Sequence, residues 1–247
     1  ERLPYNNPGL LVDLGVGLWA WPLPMDYNED GLTDLIVVCT DTPYSGVYYF
    51  ENSGLTDIDT DMPIYKPSKR IGDAVNNVSI SYINKKPIIT TPGKWYPDFK
   101  NSTFENPEII SAPDIKEFFF KEINTRSYQW QFVDFNGNGI LDLMVGIGVW
   151  GPRDHVGSEY YGWDNDYDKD GKWTNGPLHG YIYLIENEGS NKIPEYKDPI
   201  QLINTDGSPL NVYGRPSPNF VDFNGDGKPD IICGEFRDGF TFFENVG

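Results

Sequence analysis

The stretch Asp222-Phe-Asn224-Gly-Asp226-Gly227-Lys-Pro-Asp230, followed by Ile-Ile-Cys-Gly, decides how the chain is read. The same phrase occurs as Asp26-Tyr-Asn28-Glu-Asp30-Gly31-Leu-Thr-Asp34 before Leu-Ile-Val-Val, and as Asp134-Phe-Asn136-Gly-Asn138-Gly139-Ile-Leu-Asp142 before Leu-Met-Val-Gly. Each copy leads to an aromatic run ending in Glu-Asn: Val47 to Asn52, Tyr181 to Asn187 and Phe240 to Asn245. The order is strand, acidic loop, strand, turn, strand. Repetition of one supersecondary unit predicts a propeller or solenoid.

A degenerate unit lies between the first two copies. Val78-Ser-Ile-Ser-Tyr-Ile83 reads as its first strand and Pro87-Ile-Ile-Thr-Thr91 as its second, with Asn84-Lys-Lys86 in place of the acidic loop. Outer strands are expected at Pro63–Lys66, Phe118–Lys121 and Glu195–Lys197, with a short helical turn over Asp114–Glu122 as the lesser alternative to the second. Alternation and β-branched content favour strands over helices, and the 26 Gly and 20 Pro suit tight turns. The fold expected is an all-β β-propeller of four-stranded antiparallel blades with Ca²⁺-binding loops. The 247 residues form one domain in this reading, with blades near 16–70, 71–125, 126–205 and 206–247. Residues 9–15 supply a ring-closing strand. Two readings stay open: a closed four-bladed ring, or part of a larger propeller whose further blades lie outside this chain.

The acidic phrase carries oxygens at positions 1, 3, 5 and 9, with Gly at 6 for the chain reversal. Hard oxygen donors at this spacing suit Ca²⁺. The expected ligands are Asp26, Asn28, Asp30 and Asp34; Asp134, Asn136, Asn138 and Asp142; Asp222, Asn224, Asp226 and Asp230. Strands flank these loops and the last acid is at position 9, so they are not EF-hands. About three structural Ca²⁺ sites follow, with a fourth candidate near Asp166–Asp170, where oxygens again fall at positions 1, 3 and 5.

These phrases resemble the FG-GAP/VCBS repeats of β-propellers, found in integrin α-chains, fungal propeller lectins and many secreted bacterial proteins. The resemblance covers nearly the whole chain, through three clear repeats and one decayed one. The long element Gly162–Gly180 is similar to a loop of FG-GAP proteins from polysaccharide-degrading bacteria. The resemblance implies the fold and calcium. Related propellers include polysaccharide lyases, glycoside hydrolases and sugar-binding or adhesion modules, so it does not by itself imply an activity.

Asp and Glu number 37 against 19 Lys and Arg, a formal net charge of −18. Phosphate binding needs a basic surface, so nucleic acid is excluded as a partner. No apolar run is long enough for a membrane-spanning helix. No basic-then-apolar leader opens the chain, so any signal peptide is expected to have been removed. Calcium loops and acidity point to a secreted, periplasmic or cell-surface bacterial protein. Cys39 and Cys233 each sit in an apolar run and read as buried thiols, with a disulfide between them as the other possibility.

The loops between innermost and second strands share one face of a propeller. The opposite face receives the entry to each innermost strand and the exit from each second strand. It collects Trp19, Trp21, Trp95, Trp150, Tyr160 and Trp163, which can stack on sugar rings, and His155, His179, Arg153, Arg215, Arg237 and Glu235 as convergent polar groups. The partner expected is a polysaccharide or oligosaccharide. A lyase of uronate-containing glycans would use His155, His179 or Tyr160 as base and Arg153, Arg215 or Arg237 to neutralise the carboxylate. A glycoside hydrolase would use a carboxylate pair drawn from Asp154, Glu159, Asp164 and Glu235. A non-catalytic lectin or adhesion module would bind sugar through the tryptophans, with the charges only orienting it. One elaborate loop on a plain scaffold favours a single site and, slightly, catalysis.

Overall fold

The computed structural model describes residues 16–17, 19–42, 44–121, 125–149, 169–170, 178–236 and 239–247. The chain forms two compact units, Glu1–Ile109 and Ile110–Gly247. Among the described residues, both are built from antiparallel strands, with one short helix in each. No helix among the described residues is long and apolar enough to cross a membrane.

The first unit opens with β1 (Ala20–Met25), β2 (Asp34–Cys39) and β3 (Gly46–Phe50), then β4 (Asn52–Thr56), β5 (Pro63–Tyr65) and β6 (Lys69–Gly72). One sheet has the order β1-β2-β3-β6, with Met25 opposite Asp34 and Leu35 opposite Phe50. Strands β4 and β5 form a separate two-stranded ribbon. Thus Pro63–Lys66, expected as an outer strand, belongs to that ribbon, and Lys69–Gly72 takes the outer place instead. The second sheet comprises β7 (Ser79–Ile83), β8 (Lys86–Thr91), β9 (Lys94–Trp95) and β10 (Glu108–Ile109), in the order β10-β9-β8-β7; α1 (Phe99–Ser102) lies between β9 and β10. Here Asn84 and Lys85 both have positive φ, 51° and 64°, and Ile83 pairs with Lys86. This is the backbone of a two-residue type I′ hairpin, whose twist matches that of the flanking strands. It stands where the other repeats carry an acidic loop.

Alternation along the strands builds the core. Leu23, Met25, Ile36, Val38, Val47 and Tyr49 from the first sheet meet Ile89 of the second sheet, Val78 and Tyr96 beside it, and Phe99 of α1. Each buried aliphatic side chain contributes about 1.5–3 kcal/mol relative to exposure.

The second unit begins with α2 (Ile115–Phe119) and continues with β11 (Thr125–Val133), β12 (Asp142–Val149), β13 (His179–Ile185), β14 (Ile200–Gln201) and β15 (Asn211–Val212). These five strands make one sheet, β11-β12-β13-β14, with β15 also pairing with β13. Strands β16 (Ser217–Val221), β17 (Asp230–Gly234) and β18 (Phe240–Phe243) make a three-stranded sheet. Every residue of β12 is buried, as expected for a central strand covered on both faces. Val133, Met144, Ile182 and Leu184 pack with Leu210, Val212, Ile231 and Cys233, and Phe135 stacks on Phe220 at 5.4 Å.

Two further outer strands differ from expectation. Phe118–Lys121 is the end of a helix and the residues after it. Asp114 caps that helix by accepting the Lys116 N–H at 2.9 Å and is held by the Tyr128 hydroxyl at 2.7 Å, so a local cap overrides the aromatic strand pattern. Within Glu195–Lys197 only Tyr196 bridges to Asn187, and the paired outer strand is Ile200–Gln201. Both cysteines are buried and free, so the thiol reading holds and the disulfide does not. Residues 9–15 lie outside the described residues.

Candidate functional site

The three acidic loops share one backbone conformation. The Gly at position 6 has φ of +87°, +82° and +89° for Gly31, Gly139 and Gly227. That left-handed geometry suits glycine. Position 4 is left-handed too: Glu29 at 66°, Gly137 at 74° and Gly225 at 79°. The aspartate at position 1 accepts the N–H of position 6 at 3.0 Å in every copy, onto Asp26, Asp134 and Asp222. The Asn at position 3 accepts the N–H of position 5, at 3.1 Å for Asn28 and Asn136 and 2.9 Å for Asn224. Position 5 accepts the N–H of position 7: Leu32 to Asp30 at 2.8 Å, Ile140 to Asn138 at 2.7 Å and Lys228 to Asp226 at 2.8 Å. These bonds fold the Asp and Asn side chains back on their own backbone, as such residues do in turns. The Leu32 N–H and the Asn28 amide hold the Asp30 carboxyl below its ordinary range.

Position 9 behaves differently. Asp34, Asp142 and Asp230 are buried, at 0%, 1% and 1% exposure. One oxygen of each accepts the N–H of position 2, from Tyr27 at 3.0 Å, Phe135 at 3.3 Å and Phe223 at 3.2 Å. The other accepts a long-range N–H from Asn52 at 2.8 Å, Asn187 at 2.8 Å and Asn245 at 2.9 Å. The same asparagines donate their side-chain amides to the carbonyls of Thr33, Leu141 and Pro229. Burial pushes the Asp142 carboxyl above its ordinary range, against the N–H bonds from Asn187 and Phe135.

Among the described residues, no three His, Cys, Asp or Glu side chains gather as a metal-binding group. The reason is visible in the loops: the position-9 carboxylates are turned to backbone N–H groups, and Asn supplies position 3. An ion at these loops would draw on amide and backbone oxygens beside the carboxylates, as Ca²⁺ does. One observation fits such an ion. Asp134 Oδ1 is buried without a hydrogen-bond partner, while Oδ2 holds Gly139. A buried carboxylate oxygen with no donor is costly unless a cation faces it. Loop 2 is also clamped from outside, since Asn191 accepts the Leu141 N–H at 2.7 Å and donates to the Gly139 carbonyl at 2.8 Å.

The opposite strand ends of the second unit hold a different cluster. Val149 pairs with both Thr125 and His179, so β11, β12 and β13 share one edge, away from the Asp134–Asp142 loop. The segment Tyr213–Pro216 crosses that edge. A Cβ on Gly180 would lie 2.6 Å from the Gly214 carbonyl oxygen, and one on Gly148 2.9 Å from it; only glycine permits that approach. The Tyr213 N–H donates to Glu235 Oε2 at 3.1 Å, and its carbonyl accepts the Phe236 N–H at 2.9 Å. The Arg215 guanidinium lies over the Phe236 ring at 5.5 Å. His179 stacks on Tyr181, with ring centroids 5.6 Å apart and planes 11° apart, and its Nδ1 meets Asn211 Nδ2 at 2.9 Å.

The structure therefore brings His179, Arg215 and Glu235 to neighbouring positions on one edge. In the first unit, Trp19 and Trp21 lie 6.5 Å apart at the start of β1, away from the Asp26–Asp34 loop, and Trp95 lies in β9 opposite Glu108. Trp21 packs partly on the core. Trp150, Arg153, His155, Tyr160, Trp163 and Arg237 lie outside the described residues, as do Asp154, Glu159, Asp164 and the greater part of Asp166–Asp170. Sequence reading missed Asn211 and Tyr213, which carry no motif, and the role of Asn52, Asn187 and Asn245, whose recurrence after Glu was the available signal. Comparison with protein-family models, curated proteins and solved structures returns no match.

Proposed function

We propose that the chain is a calcium-binding β-propeller module of the FG-GAP/VCBS type that binds or cleaves a uronate-containing polysaccharide outside the cell. What supports the propeller reading is the order of the described sheets along the chain: beside the β4–β5 ribbon, antiparallel sheets of four, four, five and three strands follow one another, each begun by a strand hairpin. The observation that carries calcium is the threefold recurrence of one loop conformation, with Asp134 Oδ1 buried and unmatched. Asp26, Asn28 and Asp30, with their counterparts Asp134, Asn136, Asn138 and Asp222, Asn224, Asp226, would hold the ions, with Asp34, Asp142 and Asp230 beneath them. Bound Ca²⁺ supplies charge neutralisation across each loop, tying two strands together.

The glycan site belongs to the edge opposite the second unit's loops. Arg215 offers a guanidinium suited to a sugar carboxylate, and Glu235 and His179 flank it with one acceptor and one ring. Elimination next to a uronate carboxylate needs that charge neutralised, and Arg215 is the group for it.

Polysaccharides are to be screened with added Ca²⁺ by absorbance at about 235 nm for unsaturated uronate, by reducing ends, and by binding calorimetry. Unsaturated product identifies a lyase; reducing ends alone identify a hydrolase; binding without either identifies a lectin. No response to any uronate polymer, in all three assays, overturns the glycan reading.

A further inference from the structure

The His179–Asn211 contact fixes the chemistry of the ring. The Gly180 N–H faces Asn211 Oδ1 at 3.3 Å, and a backbone N–H can only donate, so the atom facing it is the amide oxygen. That leaves the amide nitrogen pointing at His179 Nδ1, 2.9 Å away. An amide NH₂ has no acceptor lone pair, so Nδ1 must be the acceptor. A neutral imidazole carries one N–H, and here it sits on Nε2. Strand register makes the arrangement. Tyr181 pairs with Asn211 across β13 and β15, and His179 is two residues from Tyr181 on the same strand face. Stacking on Tyr181 then holds the ring plane.

We infer that Asn211 is a positioning residue: it holds His179 in the Nε2–H form, so that His179 donates a hydrogen bond to a ligand oxygen and does not accept a proton there. The inference rests on the glycan reading only for the identity of the ligand, a sugar carboxylate or hydroxyl oxygen. It separates the roles of the edge. Arg215 and His179 are donors toward the ligand's oxygens, and Glu235 is the acceptor, which moves the base of any elimination away from His179.

The chain has two histidines, so His155→Gln leaves His179 as the one imidazole in a ring ¹H–¹⁵N correlation spectrum. At about pH 8, where imidazole is neutral, the protonated nitrogen should correlate with both Hδ2 and Hε1, which marks Nε2–H. Adding Asn211→Asp replaces the donor with an acceptor and should move the proton to Nδ1; Asn211→Ala should give a mixture of the two forms. A purely structural Asn211 would leave the ring signature unchanged. An Nδ1–H ring in the Asn211 protein, or no switch in Asn211→Asp, overturns the inference. Galacturonate trisaccharide, with binding followed by calorimetry, should shift the Nε2 resonance. Binding that leaves this resonance unmoved overturns the donor role. Failure of the trisaccharide to bind, with the ring signature and its switch as expected, overturns the glycan reading and supports the positioning by Asn211.

Discussion

The backbone N–H of Asn187 donates to the Oδ1 of buried Asp142 at 2.8 Å across 45 residues of sequence, and it ties the end of the aromatic strand to the end of the acidic loop. Asn52 and Asp34 repeat the bond across 18 residues, and Asn245 and Asp230 across 15. The position-9 aspartate is therefore a bolt between strands as well as a candidate ligand. Asp142→Ala should leave the N–H groups of Phe135 and Asn187 without acceptors and cost about 2–6 kcal/mol, at about 1–3 kcal/mol per unmatched donor. Urea unfolding of the calcium-free protein measures it; a loss below about 1 kcal/mol would mean that the bolt carries no stability.

Calcium should raise the melting temperature and excess EDTA should lower it, since the ion binds the folded form. Loops 1 and 3 each carry three aspartates of the pattern, whereas loop 2 has Asn138 at position 5 and only Asp134 and Asp142. Lower charge weakens attraction for a divalent cation, so loop 2 should be the last to fill. Asn138→Asp should raise the affinity of the weakest site several-fold in a calcium titration, because ligand charge tunes such sites. An unchanged weakest site would place the weak binding in another loop.

Glu29 holds a left-handed backbone, φ 66°, at the position where Gly137 and Gly225 stand in the other loops. A non-glycine residue there costs about 1–2 kcal/mol, and part of that is returned as glycine's larger entropy loss on folding. The ion pair of Glu29 with Lys100, 3.2 Å, is exposed and worth little. Glu29→Gly should stabilise the protein by about 0.5–1 kcal/mol. Thermal melting with and without Ca²⁺ checks it, and a clear loss would show that the Lys100 contact outweighs the strain.

Burial pushes the Cys233 thiol up to about 12, with the nearby Glu235 charge acting in the same direction. A group raised above its unfolded value favours the folded state at pH below that value, and the advantage is lost as pH rises through the folded one. At neutral pH, Cys233 should resist iodoacetamide in the folded protein and react after unfolding in urea. Fast alkylation of both Cys39 and Cys233 at native pH, resolved by mass spectrometry, would contradict their burial.

The turn conformation of the acidic loops was legible residue by residue, because the bonds made within each loop span at most seven positions. Asp at 1, Asn at 3 and Gly at 6 each act on N–H groups a few residues away, so local chemistry dictates their form. The inner strands were legible for a related reason: short apolar, β-branched runs bounded by turn residues read as strands from local composition. The outer strands were not. Phe118–Phe119 has the composition of a strand, yet Asp114 and the Tyr128 hydroxyl, 14 residues on, make it a helix. The partnership of Asp142 with Asn187 and that of His179 with Asn211 belong to the tertiary structure alone. Both depend on which strand lies beside which, and in what register, and a one-residue slip would turn Asn211 away from His179 to the other face of its sheet.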